Sequence, residues 1–297
     1  MAIFPRAALI YVCCLIVSPF SAGAQQNQSA PWDQWSISNP TWVEAVKPFR
    51  IIGNIYYVGS KGLSSFLITS SGGHILIDGG LPQNADLIAR NIQSLGFDVS
   101  DIIILLNSHA HFDHSGGLNA LKGLSGAQLV ASEGDRAALE GGFYLGFENN
   151  RNYAAPPVKV DRTVRNNETV HVGSISITAT LTPGHTKGCT SWNMSAVEQN
   201  TAYEVLFFCG ASVAGNNLVP AQYDGIVDDY RRTFEKTREW RPDVLLVNHP
   251  FYFNMDEKRA EQVAGNPLAF VDPNEFSALI QSFERAFEQS YKQAVER

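Results

Sequence analysis

Three histidines and an aspartate crowd into one short stretch, Asn107-Ser-His-Ala-His-Phe-Asp-His-Ser-Gly-Gly117, as His109, His111, Asp113 and His114. Neutral imidazole nitrogens together with a carboxylate oxygen suit a borderline-soft divalent ion, with zinc the leading candidate. His109 and His111 are two apart. On a helix they would diverge, whereas on an extended segment or a tight loop both can point the same way. The stretch follows the apolar run Ile102-Ile-Ile-Leu-Leu106, which predicts a buried strand of a central sheet. Asp113 and His114 then fall on the turn into a helix that Gly116-Gly117 opens. The alternative is a His-rich solvated loop.

Two more histidines have similar settings. Thr182-Pro-Gly-His185-Thr-Lys-Gly188 follows a β-rich run, so its glycines turn the chain and His185 projects from a strand end. Asn248-His249-Pro250 closes the run Val244-Leu-Leu-Val247 in the same manner. His74, in a turn after Gly72-Gly73, and His171, inside a β-run, read as structural or surface residues. Five of the seven histidines and Asp113 thus sit on loops after strands.

The elements that must hold these loops can be read around them. Short β-runs at 51–58, 65–69 and 74–77 precede a helical pattern over 83–95, then the strand at 102–106. A helix at 118–124, a strand at 128–131 and a helix at 133–139 follow. Residues 141–157 form an irregular stretch, of a length that is uncommon in an ordered chain unless it lies over a binding site. A second set of strands is expected at 169–172, 175–181, 190–194, 205–209 and 244–247, with helices at 230–240 and 275–295. That order predicts an α/β fold, a four-layer αββα sandwich with metal ligands on loops at one edge of the two sheets. The three tryptophans Trp32, Trp35 and Trp42 are expected to pack their segment onto the body rather than rim a site.

At 297 residues and 44% hydrophobic composition, the chain has ample core. A formal charge of −7 with only 17% charged residues disfavours nucleic acid and anionic membranes as partners. Arg6, the apolar run 7–17 and Ala22-Gly23-Ala24 predict a signal peptide over residues 1–24, with 25–297 as one exported, periplasmic domain. Tyr11-Val12 is too bulky to precede a lipidated cysteine, so no membrane anchor is expected after cleavage. A serine mechanism has no support, because neither Ser-x-x-Lys nor Gly-x-Ser-x-Gly occurs.

On the His-x-His-x-Asp-His loop, the Pro-Gly-His185-Thr turn and His249, the chain resembles the metallo-β-lactamase superfamily. The stretches Ile51-Ile-Gly-Asn-Ile-Tyr-Tyr-Val58, Leu76-Ile-Asp-Gly-Gly80 and Gly184-His-Thr-Lys-Gly188 extend the resemblance to class B β-lactamases of subclass 3. That resemblance implies two Zn2+ per chain. His109, His111 and His185 would hold the first, and Asp113, His114 and His249 the second. It also implies a monomeric enzyme that opens the ring of a β-lactam antibiotic by attack of a zinc-bound hydroxide. Asp113 would be catalytic as the hydroxide's partner as well as a ligand, and Asp78 would support the loop. Ser212 would bind the substrate carboxylate, with Asn216 or Asn217 as the next candidates. Gly210 stands where another serine can occur.

Two departures bear on the alternatives. Many hydrolases of the superfamily carry a bridging aspartate where this chain has Ala211, which argues against thioester hydrolase, lactonase and sulfatase readings. Cys209 precedes Gly210, unlike the cysteine ligand of other β-lactamase subclasses, and is not expected to bind metal. A non-catalytic zinc-binding protein is the alternative from outside enzymology.

Cys189 and Cys209 are the two cysteines left after export. If the β-runs at 190–194 and 205–208 form a hairpin whose axis passes through Gln199, the cysteines lie directly opposite. Opposed Cα atoms are about 4.5–5.5 Å apart, within reach of a disulfide that an oxidising periplasm would preserve. A slip of one residue would turn the side chains to opposite faces. The competing reading is two buried thiols.

Overall fold

In the computed structural model the described residues are Met1, Ala30 and 32–297. Apart from Met1, the expected signal peptide, with its cleavage site, Cys13 and Cys14, lies outside them. The first sheet runs in chain order through β1 (Phe49–Ile52), β2 (Ile55–Tyr57), β3 (Phe66–Ile68), β4 (His74–Ile77), β5 (Ile102–Leu106), β6 (Gln128–Ser132) and β7 (Arg162–Val164). It is antiparallel as far as β4 and parallel from β4 to β7. The second sheet comprises β8 (Thr169–Val172), β9 (Ile175–Leu181), β10 (Thr190–Glu198), β11 (Thr201–Phe208) and β12 (Val244–Val247). Its order is β12-β11-β10-β9-β8, with β11 and β12 parallel.

Parallel neighbours need crossovers, and helices supply them. A short α1 (Asp33–Ser38) precedes the sheets. The β4–β5 crossover is α2 (Asn84–Ser94), and β5 leads to β6 through α3 (Phe112–Ser115) and α4 (Leu118–Ser125). Next come α5 (Glu133–Gly141) between β6 and β7, and α6 (Ile226–Thr237) between β11 and β12. The chain ends with α7 (Met255–Val263) and α8 (Glu275–Val295). No helix among the described residues is long and apolar enough to cross a membrane.

The period-two alternation of the strands builds the layers. Ile75, Ile77, Ile104, Leu106 and Val130 enter the core between the sheets. Their neighbours Leu76, Leu105 and Leu129 face the opposite way, onto Ile88, Ile92, Leu121 and Leu139 of α2, α4 and α5. Across the sandwich, Phe207 meets Phe66 with ring centroids 5.3 Å apart, while adjacent Phe208 packs on Phe276 of α8. Each such side chain contributes about 1.5–3 kcal/mol by burial. The expected αββα sandwich is the observed fold.

Three local readings need correction. The run 51–58 is not one strand: Gly53 (φ +52°) and Asn54 form a two-residue turn, and Ile52 pairs with Ile55. Strands β10 and β11 run longer than expected, because Gln199 (φ +52°) and Asn200 (φ +64°) form a two-residue hairpin turn. Pairing therefore follows Glu198↔Thr201 through Trp192↔Phe207, symmetric about the midpoint of that turn and not about Gln199. Continued, this register would set Cys189 opposite Gly210, yet the disulfide Cys189–Cys209 is present with Cα atoms 5.8 Å apart. The ladder ends at Trp192↔Phe207, and beyond it the Cys209 N–H donates to Ser191 Oγ. The strands part there, which frees the two cysteines from the alternation. The expected bridge forms, although the register expected to place it does not.

Candidate metal centre

Because β4, β5, β9, β11 and β12 all deliver their C-terminal ends to one edge, five loops converge there. They carry Asp78, the His109–His114 stretch, His185, Ser212 and His249. Asp78 sits at φ +60°, an uncommon conformation outside glycine. Its carboxylate accepts from the Asn107 side chain (3.1 Å), the Ser108 N–H (2.7 Å) and the Ser108 hydroxyl (2.6 Å). The expected support role is the observed one. Burial pushes the Asp78 pKa up to about 6, against His114, Ser108 and Asn107, which favour the charged form. His111 is extended (ψ 146°), and α3 then turns Asp113 and His114 into the same space.

The six predicted ligand residues come together as two adjacent trios. In the first, the ligating atoms of His109, His111 and His185 lie within 4.8 Å of one another. In the second, Asp113 Oδ2 is 3.2 Å from His114 Nε2 and 3.5 Å from His249 Nε2, and the two imidazole nitrogens are 3.3 Å apart. A tetrahedral zinc with bonds of about 2.0–2.1 Å spaces its ligand atoms about 3.3 Å apart, so the second trio is already one face of such a site. His109 Nε2 is buried without a hydrogen-bond partner. His185 Nδ1 donates to the Ser212 carbonyl (2.7 Å) and His249 Nδ1 to the Gly62 carbonyl (3.2 Å), which leaves each Nε2 bare for a ligand bond.

Electrostatics favour the same use. Burial lowers His109 and His111 well below the ordinary histidine range, and pushes His185 and His249 down to about 4. Neutral imidazole is the form that binds a metal. His114 is raised instead: burial opposes its charge, but Asp113 and Asp78 outweigh it. Burial would also raise Asp113, yet His114 and His249 hold its carboxyl well below the usual range. His74 and His171 stay apart from the centre, His74 buried edge-on against Phe97 and His171 exposed on β8.

Above the trios lies a cavity of about 490 Å³ whose walls include His111, Asp113, His185, Ser212 and His249. Trp35 and Trp42 line it as well as packing. Trp35 stacks on Phe112 with centroids 4.9 Å apart, and Trp42 lies 5.9 Å from the His249 ring. Rim and packing roles therefore coincide in these two residues. The irregular 141–157 stretch covers the site, with Tyr144 stacked on His111 at 4.0 Å.

At the centre the sequence reading missed Asp135, and one residue that it named, Asn216, is otherwise engaged. Asn216 has no amide hydrogen left for a substrate carboxylate: its amide donates to the His185 carbonyl (2.9 Å) and the Tyr230 hydroxyl (3.2 Å), and it accepts from Tyr144 (2.8 Å). Asp135, in the first turn of α5, accepts from three backbone and side-chain donors beside the ligands. Acidic residues are ordinary in the first turn of a helix, so nothing local distinguished it. Cys209 is committed to the disulfide, and buried Ala211 offers only a methyl.

Comparison with known proteins agrees with this geometry. Residues 61–194 match the family model of the metallo-beta-lactamase superfamily. BJP-1, a subclass B3 metallo-beta-lactamase of Bradyrhizobium japonicum, is 45% identical, with a TM-score of 0.84 over 86% of this chain and 97% of that one. The chain belongs to the metallo-β-lactamase superfamily. Its resemblance to subclass B3 holds at the level of structure as well. The FEZ-1 metallo-beta-lactamase of Legionella gormanii is 32% identical, with a TM-score of 0.82 over 84% of this chain and 97% of that one. Among curated sequences, hydroxyacylglutathione hydrolase of Rhodospirillum rubrum is 30% identical over 107 residues, covering 36% of this chain and 34% of that protein. The enzyme of the same name from a Bradyrhizobium species is 26% identical, over 48% of this chain and 51% of that one. The chain thus spans a third to a half of the curated relatives it matches.

Proposed function

We propose that the chain is a di-zinc β-lactamase that opens the ring of β-lactam antibiotics. The observation that carries this reading is the pair of adjacent donor trios, of which His111, Asp113, His185 and His249 line one cavity together with Ser212. His109, His111 and His185 would hold one ion, and Asp113, His114 and His249 the other. Two bound zinc ions would lower the pKa of a water towards neutrality and polarise a carbonyl. Asp113 faces the cavity and would orient the attacking water and accept its proton. The Ser212 hydroxyl would donate to the substrate carboxylate, and the aromatic walls would exclude bulk water.

Hydroxyacylglutathione hydrolase activity is the rival, raised by the partial matches above. Ala211 weighs against it, because no carboxylate stands where such hydrolases bridge their metals. Similarity over nearly the whole of BJP-1 and FEZ-1 supports the β-lactamase reading. Hydrolysis of a chromogenic cephalosporin, lost on chelation and restored by zinc, is the expected result. Turnover of a glutathione thioester with none of the cephalosporin would overturn it. We also propose that residues 1–24 are removed on export and that 25–297 act as a periplasmic monomer. N-terminal sequencing and light scattering of the periplasmic protein check both.

A further inference from the structure

We infer that Asp135 is a positioning residue that sets the first trio of ligands and not the second. Its carboxylate is buried (3% exposed). Oδ2 accepts from the Ala110 N–H (3.0 Å), which lies between His109 and His111, and from the Thr186 hydroxyl (2.8 Å), next to His185. Oδ1 accepts from the Gly188 N–H (2.9 Å), three residues past His185. All three donors belong to the two segments that carry the first trio. None comes from the loop of His249 or from α3, where Asp113 and His114 sit.

The two segments are far apart in sequence: the ligands His111 and His185 differ by 74 positions and the donors Ala110 and Thr186 by 76. A single carboxylate with two oxygens spans them. The turn approaches α5 so closely that a Cβ at Gly188 would collide with Ser132 and Asp135. The carboxylate therefore fixes how far His185 stands from His109 and His111. An asparagine has one acceptor oxygen and an amide that only donates, so at least one of the three donors would face another donor. The segments would separate, and the first trio would open.

The inference rests on reading the trios as a metal site, but not on the substrate. A chain that binds two zinc ions and opens no β-lactam would sink the proposed reaction and leave this test intact. The measurement is zinc affinity of the mature protein by competition with a chromogenic chelator. Asp135→Asn is expected to weaken one of the two ions by about tenfold or more and leave the other within about twofold, the scale on which outer partners of metal ligands act. In a His114→Ala chain, where the first trio remains, Asp135→Asn should weaken the remaining ion by the same factor. Thr186→Val, which removes one donor, should act in the same direction with a smaller effect. Ser132→Ala loses a bond to the Gly188 carbonyl but no link to Ala110, and should change neither affinity. Equal weakening of both ions by Asp135→Asn, or unchanged affinities with Asp135→Asn or Thr186→Val, would overturn the inference. If Asp135→Asn does not fold, Thr186→Val decides.

Discussion

At the scale of single residues, His114 is the most telling position. Its Nε2 lies within 3.3 Å of both other donors of the second trio, and the ring is almost wholly buried. His114→Ala leaves Asp113 and His249 facing a gap that two ligands cannot close. We expect one zinc per chain by metal analysis, and activity reduced by more than about 100-fold, beyond the cost of losing an outer partner. Two zinc ions in the variant would contradict the assignment. Ser212 tests the other half of the proposal. Its Oγ lies 3.5 Å from His185 Nδ1, on the cavity wall. A hydrogen bond to a charged acceptor is worth about 1.5–3 kcal/mol, so Ser212→Ala should raise KM by roughly tenfold or more with a smaller change in kcat. With Asn216 occupied by its own chain, unchanged KM across several β-lactams would turn attention to Asn217.

At the scale of elements, the sandwich is also tied at the end remote from the metal centre. Glu198, beside the β10–β11 turn of the second sheet, accepts from the Gly53 N–H (2.9 Å) and from Arg50 Nη1 (2.5 Å) in the β1–β2 hairpin of the first. Arg50, and to a lesser degree Gly53, hold the Glu198 carboxyl below the ordinary glutamate range. A depressed folded-state pKa contributes stability above the unfolded-state value, and that contribution fades as pH falls through the folded-state value. Arg50 is about half exposed, so solvent screening limits the effect to about 1 kcal/mol. Glu198→Gln should therefore lower the unfolding free energy by about that amount at pH 7, and the difference should be smaller at pH of about 3, below the unfolded-state value. Urea titrations of both proteins at the two pH values measure it. A difference that grows in acid would reject the argument.

For the molecule as a whole, the disulfide closes a segment of 20 residues and secures the hairpin where its ladder ends. Cys209 Sγ lies 3.2 Å from the Ser108 carbonyl and 3.7 Å from His109 Nδ1, so the bridge also underlies the metal centre. Closing a loop of that length contributes about 3 kcal/mol in the chain-entropy model. Replacing both Cys189 and Cys209 with serine should lower the unfolding free energy by about that much. Thiol titration of the denatured, unreduced mature protein should find no free thiol. Two reactive thiols per chain would show that the bridge does not form in the cell.

What was legible in the sequence was local chemistry. Imidazole and carboxylate at spacings of two, two and one after an apolar run, with His185 and His249 at other strand ends, determine a donor set whatever surrounds it. Alternating and continuous hydrophobic runs likewise specified the layers, because strand faces repeat every two residues and the core accepts only one face. What the tertiary structure decided depends on segments far apart in the chain. Asp135 is a routine first-turn acid until folding brings Ala110, Thr186 and Gly188 to its two oxygens. Asn216 looked free for a substrate carboxylate until the His185 carbonyl and the Tyr230 hydroxyl took both of its amide hydrogens. The hairpin register turned on positive φ at both Gln199 and Asn200, a backbone choice that side-chain pattern alone leaves open by one residue. Side-chain type is written in the chain, whereas a hydrogen-bond partner exists only once two distant segments have been packed against each other.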